Sequence, residues 1–447
     1  MVKVKTISRS TEDYTRQNKN ELNKVQRNFD PLLHPFQKSR EFSRALNATK
    51  LERMFAKPFL GSLSGHSDGV YCMAKHAKNL QYLVSGAGDG EVRGWKLNSK
   101  ECFWSTIGHR GIVKGVSILP DYHSFISVGT DKTAKIWNPF LPKDQNTQPT
   151  FTYHSNHPFT GVDHHRSDPV FATSGSVIDI WDVQRSLPVS TFEWGADTIS
   201  TVKFNQTETN VLASCGSDRA ITLYDIRLKS SLHKVVLQLK SNALAWNPME
   251  AYHFAVANED HNSYLFDMRM MDKAVNIYKD HVSAVMDIDF SPTGQELVTG
   301  SYDKSVRLYD IGKSKSKDIY HTKRMQRIFC VKFSMDSKYV LSGSDDTNIR
   351  LWKANASEKL GVKNTKEKAY LEYSEKLKDK FKHVPEINKV SKTRYVPKPI
   401  SKATRTKRIM LDSQKAKEMK REEHAKKTPG KNKKPTAKEK VILYNQE

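Results

Sequence analysis

Residues 299–310 read Thr-Gly-Ser-Tyr-Asp-Lys-Ser-Val-Arg-Leu-Tyr-Asp, and variants of this stretch recur along the whole chain. An aromatic residue closes each copy, and successive closing aromatics stand 42–44 residues apart. These seven aromatics are Trp95, Trp137, Trp181, Tyr224, Phe266, Tyr309 and Trp352. Seven units at so constant a period indicate a repeat architecture.

Each repeat also carries polar residues at fixed places, and the period of 42–44 residues is that of WD-repeat blades. An aspartate stands six residues before six of the seven aromatics, whereas the third repeat has Gly175 at this position. The third blade is therefore either a degenerate copy of the repeat or a blade loosened to bind a partner. In a four-stranded blade this aspartate falls in the turn between the second and third strands, where it accepts hydrogen bonds from turn amides and a buried histidine. The residues expected in this blade network are His66, Asp89, Trp95, His109, Asp131, Trp137, Asp218, His281, Asp303, Asp346 and Trp352.

The sequence therefore predicts an all-β fold, a seven-bladed WD40 β-propeller with basic N-terminal and C-terminal arms that are helical or extended. We expect residues 58–353 to form the propeller, residues 1–57 a basic arm with a short helix, and residues 354–447 a basic, mostly helical arm. A propeller closes into a ring, which removes exposed sheet edges. Residues 59–63 are the expected closing strand, paired beside the strand that ends at Trp352.

Charge is distributed unevenly along the 447 residues, whose formal net charge is +24. Residues 1–64 contribute +7 and residues 353–447 contribute +16, which leaves +1 for the segment between them. A nearly neutral body with two basic arms indicates a polyanionic partner, either nucleic acid or an acidic membrane surface, while solvated tails are the alternative. Membrane binding is disfavoured because residues 401–427 lack an aromatic and leucine-rich face.

Cysteine usage and the N-terminus bear on the compartment. The four cysteines are widely spaced without a Cys-x-x-Cys pair, which favours reduced thiols over a zinc site or a disulfide framework. Residues 1–5 lack the apolar run of a signal peptide, and the chain has no stretch of about 18 apolar residues. These features predict a protein of the cytosol or nucleus.

Catalytic chemistry is not indicated. Serine, histidine and aspartate recur together in several repeats, which suits the internal bonding of blades better than a single hydrolase triad. The glycine-rich residues 86–90 form a blade turn, and the sequence shows no phosphate-binding glycine loop. His154, His157, His164 and His165 lack companion ligands at metal-binding spacing, so we expect exposed turn histidines. We predict no enzyme activity, metal or cofactor.

Two helices are predicted in the C-terminal arm. Residues 366–384 form an amphipathic helix ended by Pro385, and its apolar stripe either packs on the propeller flank or docks on a partner. The stripe residues assigned to partner binding are Tyr370, Tyr373, Leu377 and Phe381. Residues 401–427 form a base-dense helix that we expect to fold on a polyanion. The bases expected to contact this polyanion are Lys402, Arg405, Lys407, Arg408, Lys417, Lys420 and Arg421.

Two shorter segments complete the arms. Residues 39–56 suit a short N-terminal helix with Phe42, Leu46, Met54 and Phe55 available for burial. Residues 431–434, Lys-Asn-Lys-Lys, indicate a weak nuclear-import patch.

Stretches outside the common repeat motif carry a more specific resemblance. They read Arg-Asn-Phe-Asp-Pro (27–31), His-Pro-Phe (34–36), Arg-Ala-Leu-Asn-Ala-Thr-Lys-Leu-Glu-Arg (44–53), Asp-Gly-Glu-Val-Arg (89–93) and Ala-Asn-Ala-Ser-Glu-Lys-Leu-Gly (354–361). With them, nearly the whole chain resembles the suppressor-of-fibrillarin family, WD-repeat subunits of the small-subunit processome.

This resemblance implies a nucleolar, non-catalytic scaffold of ribosome assembly, required for processing of the small-subunit rRNA precursor and formation of the 40S subunit. It implies processome proteins, a box C/D small nucleolar RNP and that precursor RNA as partners, with no membrane or small-molecule substrate. For some relatives it implies a second role, substrate receptor of a cullin-type E3 ubiquitin ligase. The mark of that role is an aromatic-Asp-x-Arg run, which Tyr224–Arg227 matches. Arg227 is then either an adaptor contact or a solvated blade residue.

Overall fold

The computed structural model describes residues 16, 19, 21–22, 31–76, 78–121, 123–142, 146–193, 198–228, 230–424 and 436–446. The chain divides into two compact units. One combines Met1–Lys57 with Ala356–Arg394, and the other combines Pro58–Asn355 with Tyr395–Glu447. The C-terminal arm is thus shared between the units. The 431–434 patch and the end of the predicted 401–427 helix lie outside the described residues.

The first unit is helical and joins both arms. A 3-10 turn, Pro31–Leu33, precedes helix α1 (Gln37–Met54), and two helices follow the propeller, α2 (Thr365–Lys380) and α3 (Pro385–Ser391). Helix α2 ends four residues earlier than predicted, and Pro385 begins α3, because proline is tolerated in the first turn of a helix. The core of this unit contains Ala45, Leu377 and Ile387, with Phe42, Leu46 and Phe381 packed against it.

The second unit contains seven antiparallel sheets arranged as blades, which confirms the predicted propeller. Blade one comprises β2 (Val70–Lys75), β3 (Tyr82–Ala87), β4 (Glu91–Lys96) and β5 (Glu101–Ile107). Blade two comprises β6 (Val113–Ile118), β7 (Phe125–Gly129), β8 (Thr133–Trp137) and β9 (Phe151–His154). Blade three comprises β10 (Gly161–His164), β11 (Val170–Ser174), β12 (Ile178–Asp182) and β13 (Ser190–Phe192). Blade four contains β14 (Ile199–Phe204), β15 (Val211–Gly216), β16 (Ala220–Asp225) and β17 (Ser231–Leu237). Blade five comprises β18 (Ser241–Trp246), β19 (His253–Asn258), β20 (Ser263–Asp267) and β21 (Asn276–Tyr278). Blade six comprises β22 (Val285–Phe290), β23 (Glu296–Ser301), β24 (Val306–Asp310) and β25 (Asp318–Tyr320).

The seventh blade closes the ring as predicted. It comprises β26 (Ile328–Phe333), β27 (Tyr339–Ser344), β28 (Ile349–Lys353) and β1 (Phe59–Leu63). Strand β1 pairs antiparallel with β28, with Phe59 opposite Trp352 and Leu63 opposite Ile349. The innermost strand of each blade contacts that of the next, and β26 contacts β2. The pairing of β1 with β28 therefore joins the two ends of the ring.

Hydrophobic cores fill the spaces between neighbouring blades. One cluster combines Val84 and Val92 of the first blade with Val113, Phe125 and Trp137 of the second. The closing aromatics Trp95, Trp137, Trp181 and Trp352 are almost fully buried. We call the end of the ring at which the seven inner strands begin the entry face, and the end at which they finish the exit face.

A tight turn links the second and third strands of each blade on the entry face. In six blades the residue that follows the predicted aspartate has positive φ; these are Gly90, Lys132, Arg219, His261, Lys304 and Thr347. The aspartate accepts the backbone amide two residues on, at 3.0 Å for Asp89, 3.2 Å for Asp131 and 3.0 Å for Asp303. The conserved spacing within the chain thus reflects a side chain that satisfies the amide exposed by a left-handed turn residue.

Candidate nucleic-acid interface

Helix α4 (Lys398–His424) carries the bases predicted to contact RNA. Its sequence is rich in lysine, arginine and glutamate, all good helix formers, and Pro399 lies in the first turn, where proline is tolerated. The helix belongs to the propeller unit. The base-dense segment that was predicted to form a helix is thus helical over Lys398–His424.

One side of the first turns of α4 packs on the propeller. Ile400 is 7% exposed, and Ala403 and Lys407 are half-buried. These positions stand three and four residues apart, so they share one side of the helix. The Lys407 ammonium donates a hydrogen bond of 3.1 Å to the carbonyl of His281, in the loop that precedes the inner strand of blade six. Helix α4 thus begins on the entry face.

The environment of Lys407 assigns it a different contact from the one predicted. Burial lowers the pKa of its ammonium, and the nearby carboxylates of Asp260, Asp280 and Asp303 act in the opposite direction. The side chain anchors α4 on an acidic patch of the propeller, so its donors are not directed at solvent phosphates. Sequence reasoning missed this because it counted Lys407 as one more base on an unanchored helix.

The other six predicted contacts on α4 are exposed: Lys402, Arg405, Arg408, Lys417, Lys420 and Arg421. From Arg408 to His424, every described side chain is exposed. At 100° per residue, Lys402 and Lys420 project in the same direction, about 27 Å apart along the axis. Arg408 is 3.8 Å from the carboxylate of Asp412, an exposed pair of small energetic value. The arrangement suits contacts to an extended series of phosphates.

A short strand at the C-terminus was not predicted. Strand β29 (Ile442–Gln446) pairs antiparallel with β17 and extends blade four to five strands. Val441 and Ile442 pack against the core that contains Val235 and Leu237, and the Asn445 amide donates to Asp272 at 2.6 Å. The apolar run Val-Ile-Leu-Tyr at 441–444, which includes two β-branched residues and an aromatic one, is the sequence signal that could have identified this strand.

The apolar stripe of α2 is divided between two environments. Leu377 is buried and Phe381 is partly buried in the cluster that α2 forms with α1, and the Phe381 ring lies edge-on to Phe42 at 6.0 Å. Tyr370 and Tyr373 remain 60% and 42% exposed, although the Tyr373 hydroxyl accepts a hydrogen bond from Arg44. The N-terminal helix therefore covers the half of the stripe nearer the C-terminus, whereas the sequence predicts that the propeller flank or a partner covers it.

The N-terminal helix buries only part of what was expected. Phe42 and Leu46 pack in the helical core, whereas Met54 and Phe55 are 69% and 67% exposed. Met54 is the last residue of α1 and Phe55 follows it, so both stand at the end of the helix.

The histidine networks of blades two and six follow the expected pattern of bonds. His109 contacts Asp131 at 3.0 Å and Ser127 at 2.7 Å, and the Trp137 indole donates to the same serine. His281 contacts Asp303 at 2.8 Å and Thr299 at 2.7 Å. Burial lowers the pKa of both imidazoles. These groups satisfy one another's hydrogen bonds, as expected for the internal bonding of a blade.

Blade one departs from this pattern. His66 bonds Ser85 at 2.7 Å, but its other ring nitrogen faces Glu91 at 3.4 Å, and Asp89 is exposed. Burial lowers the pKa of His66. The carboxylate that faces the imidazole is therefore that of Glu91, at the start of the third strand, and not that of Asp89, and it makes no hydrogen bond to the ring. The Trp95 indole donates to Ser85 as in blade two.

Two further predicted aspartates hold cations instead of histidines. Asp218 accepts the Ala220 amide at 3.0 Å and lies 3.1 Å from Lys234. Asp346 forms a two-point pair with Arg350, and the Trp352 indole donates to Ser342 at 2.8 Å. Both carboxylates thus still have partners, as expected for groups that are partly buried.

The histidine patch of blade three is also rearranged. His164 and His165 are buried, so the expectation of exposed turn histidines is wrong for these two. The Nδ1 of His164 donates to the carbonyl of His165 at 2.6 Å, and His165 accepts the amide of Asp168 at 3.0 Å. Within the described part of the chain, no three His, Cys, Asp or Glu side chains are placed to hold a metal ion.

Arg227 lies on the exit face, just after β16. Its side chain is 69% exposed and contacts Asp225 at 3.4 Å. The equivalent Arg269 in blade five bonds both oxygens of Asp267 and lies 4.0 Å from the centre of the Tyr252 ring. Arg227 is thus the less constrained of the two. No helix in the described ranges is both long and apolar enough to cross a membrane.

Comparison with known proteins agrees with this architecture. The Sof1-like domain profile matches residues 354–442, which include α2, α3, α4 and the start of β29. The WD domain, G-beta repeat profile matches residues 57–96, 100–138, 272–310 and 316–353, which correspond to four of the seven blades. The three unmatched blades include the one with Gly175 in place of the turn aspartate.

Similar proteins cover almost the whole chain. DDB1- and CUL4-associated factor 13 of Xenopus laevis is 50% identical over 443 residues, 99% of each chain. The human protein of that name is 50% identical over 426 residues, 95% of this chain and 96% of its own. Protein SOF1 of Saccharomyces cerevisiae is 47% identical over 441 residues, 93% of this chain and 90% of its own. The chain therefore belongs to the Sof1-like family of WD-repeat proteins.

Proposed function

We propose that this chain is a non-catalytic scaffold of the small-subunit processome and its box C/D small nucleolar RNP, acting in the nucleolus on the small-subunit rRNA precursor. The observation that carries the proposal is α4, a base-dense helix fixed at one end by Ile400 and Lys407 and exposed beyond that point. The family membership of the chain and its similarity to the yeast protein named SOF1 support the same role.

Phosphate contacts from six exposed bases predict a definite salt dependence. Each phosphate neutralised on a single strand contributes roughly −0.7 to the slope of log K against log salt. Six contacts therefore predict a slope of about −4, and the binding carries little sequence preference because phosphates are the same at every nucleotide. The propeller supplies a rigid body, and α4 supplies a positioned polycation.

RNA crosslinking with sequencing in cells tests this proposal with two charge-matched variants. The first reverses four exposed bases of α4, Lys402→Glu, Arg405→Glu, Lys417→Glu and Lys420→Glu. The second reverses four exposed lysines of the propeller, Lys273→Glu, Lys315→Glu, Lys323→Glu and Lys338→Glu. Point variants are preferable to truncation after residue 353, because truncation also removes β29 from blade four.

The expected result is loss of reads on the rRNA precursor or a small nucleolar RNA for the α4 variant alone, with the same melting temperature for both variants. Reads that persist in the α4 variant would move the RNA site away from this helix. Equal loss in both variants would show that overall charge, and not α4, governs the association.

A second candidate function is substrate receptor of a cullin-type E3 ubiquitin ligase. The run Tyr224–Arg227 and the exposed Arg227 favour it, as do the names of relatives that associate with DDB1 and CUL4. Co-purification with a DDB1-type adaptor should weaken for Arg227→Ala. The matched control is Arg185→Ala, an arginine of equal exposure in blade three. Unchanged co-purification of Arg227→Ala would remove this candidate.

A further inference from the structure

The central channel of the propeller opens on the exit face into a cavity of about 480 Å³. All seven inner strands contribute to its wall near their C-terminal ends, from Lys75 on β2 to Lys332 on β26. Its volume lies in the range of pockets that enclose small ligands or side chains of a partner. The cavity lies at the opposite end of the ring from the Lys407 anchor of α4.

Positive charge exceeds negative charge in this cavity. The cations in its wall are Lys75, Lys78, Lys203, Lys332 and Arg166, and the carboxylates are Asp163 and Asp289. Asp163 is held by Lys203 at 2.8 Å and by the amide of Phe204 at 2.9 Å. Asp289 is held by Lys75 and by the amide of Phe333, at 2.9 and 2.8 Å. Both carboxylates are therefore already satisfied within the propeller.

Lys332 is the cation best placed to act on a ligand. Its side chain is 18% exposed, and its nearest carboxylates, Asp287 and Asp289, stand at 3.7 and 3.9 Å, beyond hydrogen-bond distance. Burial disfavours its charge, but these two carboxylates outweigh burial and raise the pKa of the ammonium, so it is charged at neutral pH. A charged donor group thus lies in the cavity wall without a hydrogen-bond acceptor among the described residues.

Of these five cations, Lys78 and Arg166 are exposed and form the rim of the cavity, whose wall also includes apolar side chains such as Met73, Trp246 and Met335. An incoming anion would meet Lys332 in the channel and Lys78 or Arg166 at the opening. A purely polar polyanion would leave the apolar wall without a partner. A peptide with carboxylates beside apolar side chains satisfies both parts of the surface.

We propose that the exit-face cavity binds an acidic segment of a protein partner, with carboxylates directed at Lys332 and at the Lys78–Arg166 rim and an apolar side chain against the wall. This interaction is independent of the RNA contact proposed for α4.

Fluorescence anisotropy of the full chain tests the proposal with a labelled peptide of alternating glutamate, leucine and phenylalanine, and with a lysine counterpart as the control peptide. We expect saturable binding of the acidic peptide only. The rim variant Lys78→Glu/Arg166→Glu should weaken it by about tenfold or more, because both substitutions place like charge at the opening. The matched variant Lys273→Glu/Lys315→Glu, with the same change of charge outside the cavity, should bind normally.

Further arms separate the alternatives. Lys332→Gln should also weaken peptide binding, and its melting temperature reports whether the fold is retained. The α4 charge-reversal variant should bind the peptide normally, so loss of RNA crosslinking and loss of peptide binding are distinguishable. Equal weakening by the rim variant and by the matched variant Lys273→Glu/Lys315→Glu, or no saturable binding, would overturn the proposal. So would displacement by tripolyphosphate as effective as by the peptide, or single-stranded RNA binding that depends on Lys78 and Arg166.

Discussion

Asp89 and Asp303 occupy the same position within their repeats but should differ greatly in their importance for stability. Asp303 contacts His281 at 2.8 Å and accepts the Ser305 hydroxyl at 2.6 Å, the Ser305 amide at 3.0 Å and the Val282 amide at 3.3 Å. Its side chain is 3% exposed. Asp89 is exposed, and its carboxylate accepts a hydrogen bond from the Glu91 amide at 3.0 Å.

The magnitude follows from these contacts. Asp303→Ala leaves the buried imidazole of His281 and two backbone amides without their acceptor, which costs about 3–5 kcal/mol, as for one partner removed from a buried pair. Asp89→Ala removes one exposed hydrogen bond and should cost about 0.5–1.5 kcal/mol. At roughly 2 °C per kcal/mol for a domain of this size, Asp303→Ala should lower Tm by about 6–10 °C.

Thermal unfolding of the full chain, followed by circular dichroism, compares the two variants directly. Glu91→Ala serves as a third variant, because Glu91 and not Asp89 faces His66. We expect the loss of Tm for Glu91→Ala to exceed that for Asp89→Ala. Equal losses for Asp303→Ala and Asp89→Ala would refute the reasoning, since the motif and not its environment would then set the energy.

Three further predictions concern α4, pH and a turn. Lys407→Glu should release the start of α4 from the propeller and increase the cleavage of α4 by trypsin, because it places a carboxylate near Asp260 and Asp303. Lys402→Glu is the control, since Lys402 is exposed and its replacement should leave the cleavage of α4 unchanged. Stability should fall as pH drops below about 6.5, because burial lowers the pKa of His281 in the folded chain. Below that pH the unfolded chain binds a proton at this histidine that the folded chain does not bind. A Tm that stays constant from pH 7.5 to pH 5 would contradict this prediction. Gly90→Ala should cost about 2 kcal/mol or more, since φ is +88° and a Cβ would collide with the carbonyl of His109, whereas Gly312→Ala meets open space and should leave Tm nearly unchanged.

Local periodicity determined much of this protein. The spacing from Trp95 to Trp352 determined seven blades, because each blade repeats the same short-range turn and strand pattern. The position of residues 59–63 before the first repeat determined the closing strand. The density of bases after residue 400 determined a polycationic helix, because helix propensity and charge are properties of the local sequence.

Tertiary structure decided which residues meet, and with them the roles of single side chains. It placed Glu91 instead of Asp89 beside His66, anchored Lys407 on the propeller, paired β29 with β17 and packed α2 against α1. It also gathered seven strand ends into one cavity around Lys332. These contacts join residues far apart in sequence, and their geometry depends on blade twist and side-chain length, which no periodicity of the chain encodes.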